Sequence, residues 1–118
     1  MTTIKRSPKA QKNWKHLRTL IIDEVSMLDG ELFDKLEVIA RQIRHNNEPF
    51  GGIQLVLIGD FCQLPPAGKT VSLYTFEAQT WPKCIKEIVN LKHVYRQKKD
   101  WFISYLQALR FGRLSKKR

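Results

Sequence analysis

The sequence predicts an α/β fold built around a parallel sheet, and three observations carry that prediction. Two apolar runs, Leu17-Arg18-Thr19-Leu20-Ile21-Ile22 and Ile53-Gln54-Leu55-Val56-Leu57-Ile58, have the length and β-branched content of strands. Each run closes on acid, Asp23-Glu24 in one case and Gly59-Asp60 in the other. Between them lies a stretch with helical periodicity, so the order is strand, helix, strand, the unit that joins parallel strands by a right-handed crossover. The 118 residues suit one domain, and 42% hydrophobic with 27% charged residues is ordinary for a chain with one core.

The first run places three consecutive apolar residues ahead of the acids, a pattern expected of a strand covered on both faces. Asp29-Gly30 then signals a helix start, with Asp29 able to accept from the first unpaired amides. Leu32, Phe33, Leu36, Ile39, Ala40 and Ile43 recur at three- and four-residue spacing, which predicts about four helical turns. Glu31, Asp34, Lys35, Arg41 and Arg44 are expected to face mostly water. The string His45-Asn46-Asn47-Glu48-Pro49-Phe50-Gly51-Gly52 is turn chemistry that ends the helix. After the second strand, residues 85–91 read as a third. Asp100 opens a further helix through Phe102, Tyr105, Leu106 and Leu109, with Gly112 placed as its C-terminal cap.

Charge is uneven along the chain. The net +10 divides into six bases and no acid over residues 1–22, then six acids against Lys35 over residues 23–37. Residues 98–118 hold seven bases against Asp100. Basic ends around an acidic middle fit a polyanion outside and a cation inside, although solubilising tails would carry the same charge. No run approaches the ~20 apolar residues of a membrane span. Cys62 and Cys84 are too few for a disulfide scaffold, and His16, His45 and His93 have no zinc-ligand spacing with them. Met1 to Lys15 lacks the apolar core of a secretory signal. It is acid-free, as transit peptides are, but has one arginine and little amphipathic pattern, so a solvated basic lead-in over residues 1–16 is expected.

In open parallel sheets, ligands sit beyond the carboxyl ends of the strands. An apolar strand ending in Asp-Glu there is a Walker B pattern. A magnesium ion bridging nucleotide phosphates needs a fixed oxygen partner, and a second carboxylate can deprotonate the attacking water. A solvated acidic turn gives the same two letters.

The longer string narrows this choice. Leu20-Ile21-Ile22-Asp23-Glu24-Val25-Ser26-Met27-Leu28, followed by Gly59-Asp60-Phe61-Cys62-Gln63-Leu64-Pro65-Pro66, resembles the Pif-type DNA helicases of superfamily one, relatives of the RecD subunit. The resemblance runs through Leu32-Phe33-Asp34-Lys35-Leu36-Glu37, Pro49-Phe50-Gly51-Gly52, Phe76-Glu77, Trp81, Val94-Tyr95-Arg96-Gln97 and Leu109-Arg110-Phe111-Gly112. It covers residues 14–115. It implies a RecA-like P-loop NTPase motor fragment: the C-terminal half of the first motor domain over residues 17–92, and the entry to the second over 93–118. By the same resemblance Asp23 holds Mg2+, Glu24 is the general base for ATP hydrolysis, Gln63 senses the γ-phosphate and Arg96 reaches it from the second domain. Pro65 and Pro66 stiffen the Gln63 loop. Single-stranded and duplex DNA are the implied partners, with 5′-to-3′ movement. Phe61, Pro65 and Pro66 are candidate DNA contacts, whereas packing is the expected role of Trp81 and Trp101. Nucleus or mitochondrion, and genome maintenance, follow by analogy.

One departure matters. Gly68-Lys69-Thr70 looks like the tail of a Walker A loop, but the pattern Gly-x4-Gly-Lys-Ser/Thr needs glycine where Gln63 stands. Two prolines remove amide donors from that cradle, and it follows the Walker B strand instead of preceding it. A smaller departure is Ala67, where relatives usually carry valine. The expectation is a chain lacking its phosphate loop and the first half of the motor domain, inactive alone, with an unfilled position in its sheet and an exposed apolar edge. The alternative is a non-enzymatic remnant, truncated or derived from a mobile element, that binds nucleic acid by charge.

Overall fold

The computed structural model describes residues 7–68 and 73–113. The chain divides into two compact units, residues 1–86 and 87–118.

In the first unit, strand β1 (Thr19–Ile22) and strand β2 (Gln54–Leu57) pair in parallel, with Thr19 opposite Gln54 and Ile22 opposite Leu57. The ladder runs one bond past each end: the Gln54 amide donates to the Arg18 carbonyl and the Ile58 amide to that of Ile22, both at 2.9 Å. Helix α2 (Gly30–Arg44) makes the crossover, as its spacing predicts. Asp29 accepts from the Leu32 amide at 3.1 Å and so supplies the cap. At the other end His45 takes the left-handed conformation (φ 49°) more usual for glycine.

The core lies on one face of this ribbon. Phe33, Ala40, Phe50, Ile53 and Ala78 are its buried members, with Trp14, Leu20, Leu36, Leu55 and Trp81 packed around them. Phe33 and Phe50 are fully buried with ring centroids 5.1 Å apart. Phe50 also has a positive φ (50°), as do Gly51 and Gly52 after it, and complete burial of the ring offsets that backbone cost.

Three expectations need correction. The strands are not covered on both faces: burial alternates along each, and Ile21 is 63% exposed and Ile58 50% exposed. An apolar run shows that a strand can be buried on both sides, but the covering layer must come from elsewhere. Residues 85–91 form no strand. The described residues hold one two-stranded sheet, and with no ladder partner Ile88, Val89 and Leu91 stay exposed. Within the basic lead-in, helix α1 (Pro8–His16) buries no residue, which leaves the solvated reading of these residues standing; it is started by the Ser7 hydroxyl accepting from the Ala10 amide and by proline at its first position. Finally, Asp34 and Arg44 do not simply face water.

Arg44 gathers backbone carbonyls. Its Nε donates to Gly51 at 2.7 Å, and its Nη1 donates to Trp14, Lys15 and Leu17 at 2.9–3.0 Å. One guanidinium thus closes the end of α1 onto the end of α2, a fork that lysine cannot reproduce. Asp34 does the reverse with amides. It accepts from the Gln79 and Thr80 amides and from the Thr80 hydroxyl, holding the start of the short helix α3 (Trp81–Cys84) against α2. Burial pushes the Asp34 carboxyl up, but the Thr80 and Gln79 bonds together outweigh it and leave it below the ordinary carboxylate range. A carboxyl lowered in the folded state stabilises fully above its unfolded value, ~4, and loses that contribution as pH falls through the lower folded value. Asp34→Asn is therefore expected to weaken the chain at neutral pH and to flatten the acid limb of its urea midpoint against pH. An unchanged acid limb would show that other carboxylates dominate.

In the second unit, helix α4 (Asp100–Arg110) begins at Asp100 as expected. Gly112 (φ 64°) closes it: its amide donates to Leu109 and that of Arg113 to Ala108, the paired bonds of a Schellman cap.

Candidate active site

Both strands point their carboxyl ends to one edge, and there the two acid-bearing turns interlock. The Val25 amide donates to the Ile58 carbonyl at 3.0 Å, which ties the turn after β1 to the end of β2. Contact is close enough that a Cβ on Gly59 would lie 2.8 Å from the Val25 nitrogen and 3.1 Å from its Cγ1. Only glycine lets the Glu24-Val25 backbone approach that near.

Asp23 and Glu24 are both exposed. The Glu24 amide donates to Asp23 Oδ1 at 2.8 Å, so the first carboxylate braces the turn that presents the second. Glu24 itself is left-handed (φ 51°, ψ 46°). That conformation costs a non-glycine residue about 1–2 kcal/mol and persists only where surrounding bonds impose it. Backbone held in this way occurs at ligand and catalytic sites and also at structural turns, as at His45 and Phe50 of this chain.

The loop after β2 carries Gln63. Asp60 Oδ1 accepts from the Cys62 amide, and the Asp60 carbonyl accepts from the Gln63 amide, both at 3.0 Å. These bonds fix the Gln63 backbone relative to Gly59, while its side chain is exposed. Pro65 is exposed and Pro66 half-buried. Asp23, Glu24 and Gln63 thus lie on two turns joined through the Val25–Ile58 bond.

Phe61 points into an aromatic cluster. Its ring sits edge-on to Phe76 at 4.8 Å, Tyr74 at 6.2 Å and Trp81 at 6.3 Å, and Tyr74 stacks on Phe76 at 5.2 Å. Trp81 packs on Phe33 at 5.7 Å, in keeping with a structural role. Arg96 lies in the second unit, exposed on the segment before α4, and Trp101 is exposed beside Phe102. Lys69 and Thr70, the tail of the false phosphate loop, lie outside the described residues, as do the outermost bases Lys5, Arg6, Lys116, Lys117 and Arg118.

Magnesium fits this donor set. Among the described residues no three His, Cys, Asp or Glu side chains stand together as a metal cage. Magnesium needs no such cage, because it takes one or two carboxylates and completes its shell with phosphate and water. The thiol of Cys84, behind α2, is pushed up to about 11 by burial and by the nearby Glu37 and Asp34 carboxylates, which makes it a poor nucleophile.

Sequence reasoning missed Thr75. It is fully buried, and its hydroxyl lies 2.6 Å from the Leu28 carbonyl and 3.1 Å from that of Val25. No local pattern signals it, since its partners lie 47 and 50 residues away.

The family model described as PIF1-like helicase matches residues 1–118. The chain belongs to the PIF1-like helicase family. It is 51% identical over 106 residues to the ATP-dependent DNA helicase RRM3 of Saccharomyces cerevisiae, covering 86% of this chain and 15% of that protein. Against the human ATP-dependent DNA helicase PIF1 it is 46% identical over 110 residues, 92% of this chain and 17% of the relative. Among solved structures, the Pif1 helicase from Candida albicans superposes with a TM-score of 0.92 at 48% identity, over 96% of this chain and 26% of that one. The Bacteroides Pif1 helicase in complex with ADP-AlF3 and ssDNA gives 0.84 at 28% identity, over 92% and 28%. This PIF1-like chain therefore spans about a sixth of the curated relatives it matches, and its α/β architecture is that of a RecA-like motor fragment.

Proposed function

We propose that this chain supplies the magnesium-side half of the nucleotide site of an ATP-dependent DNA helicase that moves 5′ to 3′ on single-stranded DNA and opens duplexes. The observation that carries the reading is the strained Glu24 turn, braced by Asp23 and locked onto Gly59 at the carboxyl edge of the parallel strands. Asp23 would hold Mg2+, which screens the phosphate charge when bound. Glu24 takes the proton of the attacking water. Gln63 suits γ-phosphate sensing because its amide donates to a phosphate oxygen and accepts from water at once. Arg96 brings positive charge to the transition state from the second motor domain. Residues 17–92 are assigned to the first motor domain and 93–118 to the entry of the second, with the N-terminal half of the first domain as the partner that completes the pocket. The Bacteroides relative binds ADP-AlF3 and single-stranded DNA in its complex, which supports nucleotide and DNA as ligands here. Phe61, Pro65 and Pro66 remain the candidate DNA contacts by family resemblance, with the Phe61 ring packed edge-on against Phe76. Repair, recombination and telomere maintenance in nucleus or mitochondrion extend the reading by family analogy.

No Gly-x4-Gly-Lys-Ser/Thr occurs in these 118 residues, so the chain alone is expected to give no DNA-stimulated ATPase. A hybrid with residues 7–113 in place of the matching segment of the Candida albicans helicase is expected to hydrolyse ATP and unwind DNA. A folded but inert hybrid would favour the second reading, a charge-driven nucleic-acid binder, which rests on the net +10. Binding of the free chain to single-stranded DNA is expected to fall at least ~10-fold between 50 and 200 mM salt, and an affinity indifferent to salt rules out charge as its source.

A further inference from the structure

We infer that Thr75 is a positioning residue for the catalytic turn, a hydroxyl clamp that holds Glu24 in its left-handed conformation from behind. The inference rests on the assignment of Glu24 as the base. The turn Val25–Met27 follows Glu24 directly, and its Met27 amide donates to the Glu24 carbonyl at 3.0 Å. The Thr75 hydroxyl shares its one proton between the carbonyls of Val25 and Leu28, which bracket that turn. Thr75 is 0% exposed, so no water can stand in for the bond.

The clamp has a rigid base. The Gly30 amide donates to Leu73 at 2.9 Å, and Tyr74 bridges to Asp29, so the segment carrying Thr75 is fastened to the start of α2. A Cβ on Gly30 would fall 2.7 Å from the Tyr74 carbonyl, which shows how near the two backbones run. Glu77 accepts from the Tyr74 amide at 2.7 Å and closes the turn Thr75–Glu77. Opposite the clamp, the Val25 amide is held by Ile58. The Glu24 turn is therefore gripped from two sides, by a strand end and by a hydroxyl. Removing the hydroxyl frees one side without touching either carboxylate.

The test separates the clamp from the base. Thr75→Val keeps the branched shape and deletes the hydroxyl, and Thr75→Ser restores it. Hydrogen exchange of the 118-residue chain is expected to accelerate at least ~10-fold at the Met27 and Leu28 amides in the valine variant. Protection of the Ile58 amide should be unchanged, and serine should recover the wild-type pattern. Equal protection in wild type and Thr75→Val overturns the clamp, as does a wild-type chain with no protection at residues 25–28. In the helicase hybrid, Thr75→Val is expected to lower kcat at least ~10-fold with KM for ATP near wild type, and serine to rescue it. Turnover insensitive to Thr75→Val but abolished by Glu24→Gln overturns the clamp alone. Turnover insensitive to Glu24→Gln overturns the underlying assignment.

Discussion

Glu24→Gln in the helicase hybrid is expected to cut ATP turnover by ~10^2–10^4, the usual contribution of a positioned general base, while nucleotide affinity stays within a few-fold. Glutamine matches glutamate in size and in backbone demand, so the left-handed turn at φ 51° survives the exchange. The hydrogen bond donated by the Glu24 backbone amide to Asp23 Oδ1 does not involve the substituted side chain and also survives. What disappears is the proton-accepting carboxylate together with its negative charge, while size and backbone geometry stay. Asp23→Asn separates the roles further: it removes charge at the position assigned to magnesium, so the concentration of Mg2+ needed for half-maximal turnover should rise. Single-turnover measurements with excess enzyme report the chemical step directly. A Glu24→Gln hybrid that keeps wild-type single-turnover rates would remove Glu24 from the mechanism, whatever its backbone strain.

Elements defined by their own periodicity or caps were legible in the sequence. Helix α2 stands where Leu32, Phe33, Leu36, Ile39, Ala40 and Ile43 put it, Asp29 caps it, and Gly112 ends α4 in the left-handed conformation. The parallel pairing of β1 and β2 follows from strand–helix–strand order. Features that depend on distant partners were not legible. Asp34 and Arg44 sit on the polar side of the helical repeat, yet each organises backbone from another segment, and nothing in the repeat separates them from solvated Glu31 or Lys35. The third strand failed for the same reason. Residues 85–91 have strand composition, but composition cannot supply a ladder. At the candidate site, the strings put Asp23, Glu24 and Gln63 on the turns that follow the two strands, whereas the Thr75 hydroxyl makes bonds that span about fifty residues of sequence.

Phe33→Ala is expected to abolish the cooperative unfolding of the first unit. Phe33 is fully buried and touches Phe50 and Trp81 ring to ring, at 5.1 and 5.7 Å. Truncating such a residue costs about 3–5 kcal/mol in transfer and cavity terms. Whole domains are stable by only ~5–15 kcal/mol, and this unit should lie near the bottom of that range. Its core covers one face of a two-stranded ribbon, while Ile21 and Ile58 remain largely in water on the other. With a urea slope of ~1–3 kcal/mol per molar, a loss of 3 kcal/mol moves the midpoint by about 1–3 M. That is enough to leave little folded baseline. Trp14 and Trp81 pack against this core, so tryptophan fluorescence follows it, and Phe33→Leu should retain a visible transition because most of the volume remains. The same titration weighs the exposed sheet face. A wild-type slope matching a complete domain of this length would mean that Ile21 and Ile58 are covered in solution, whereas a shallow slope follows from a ribbon whose second face is bare.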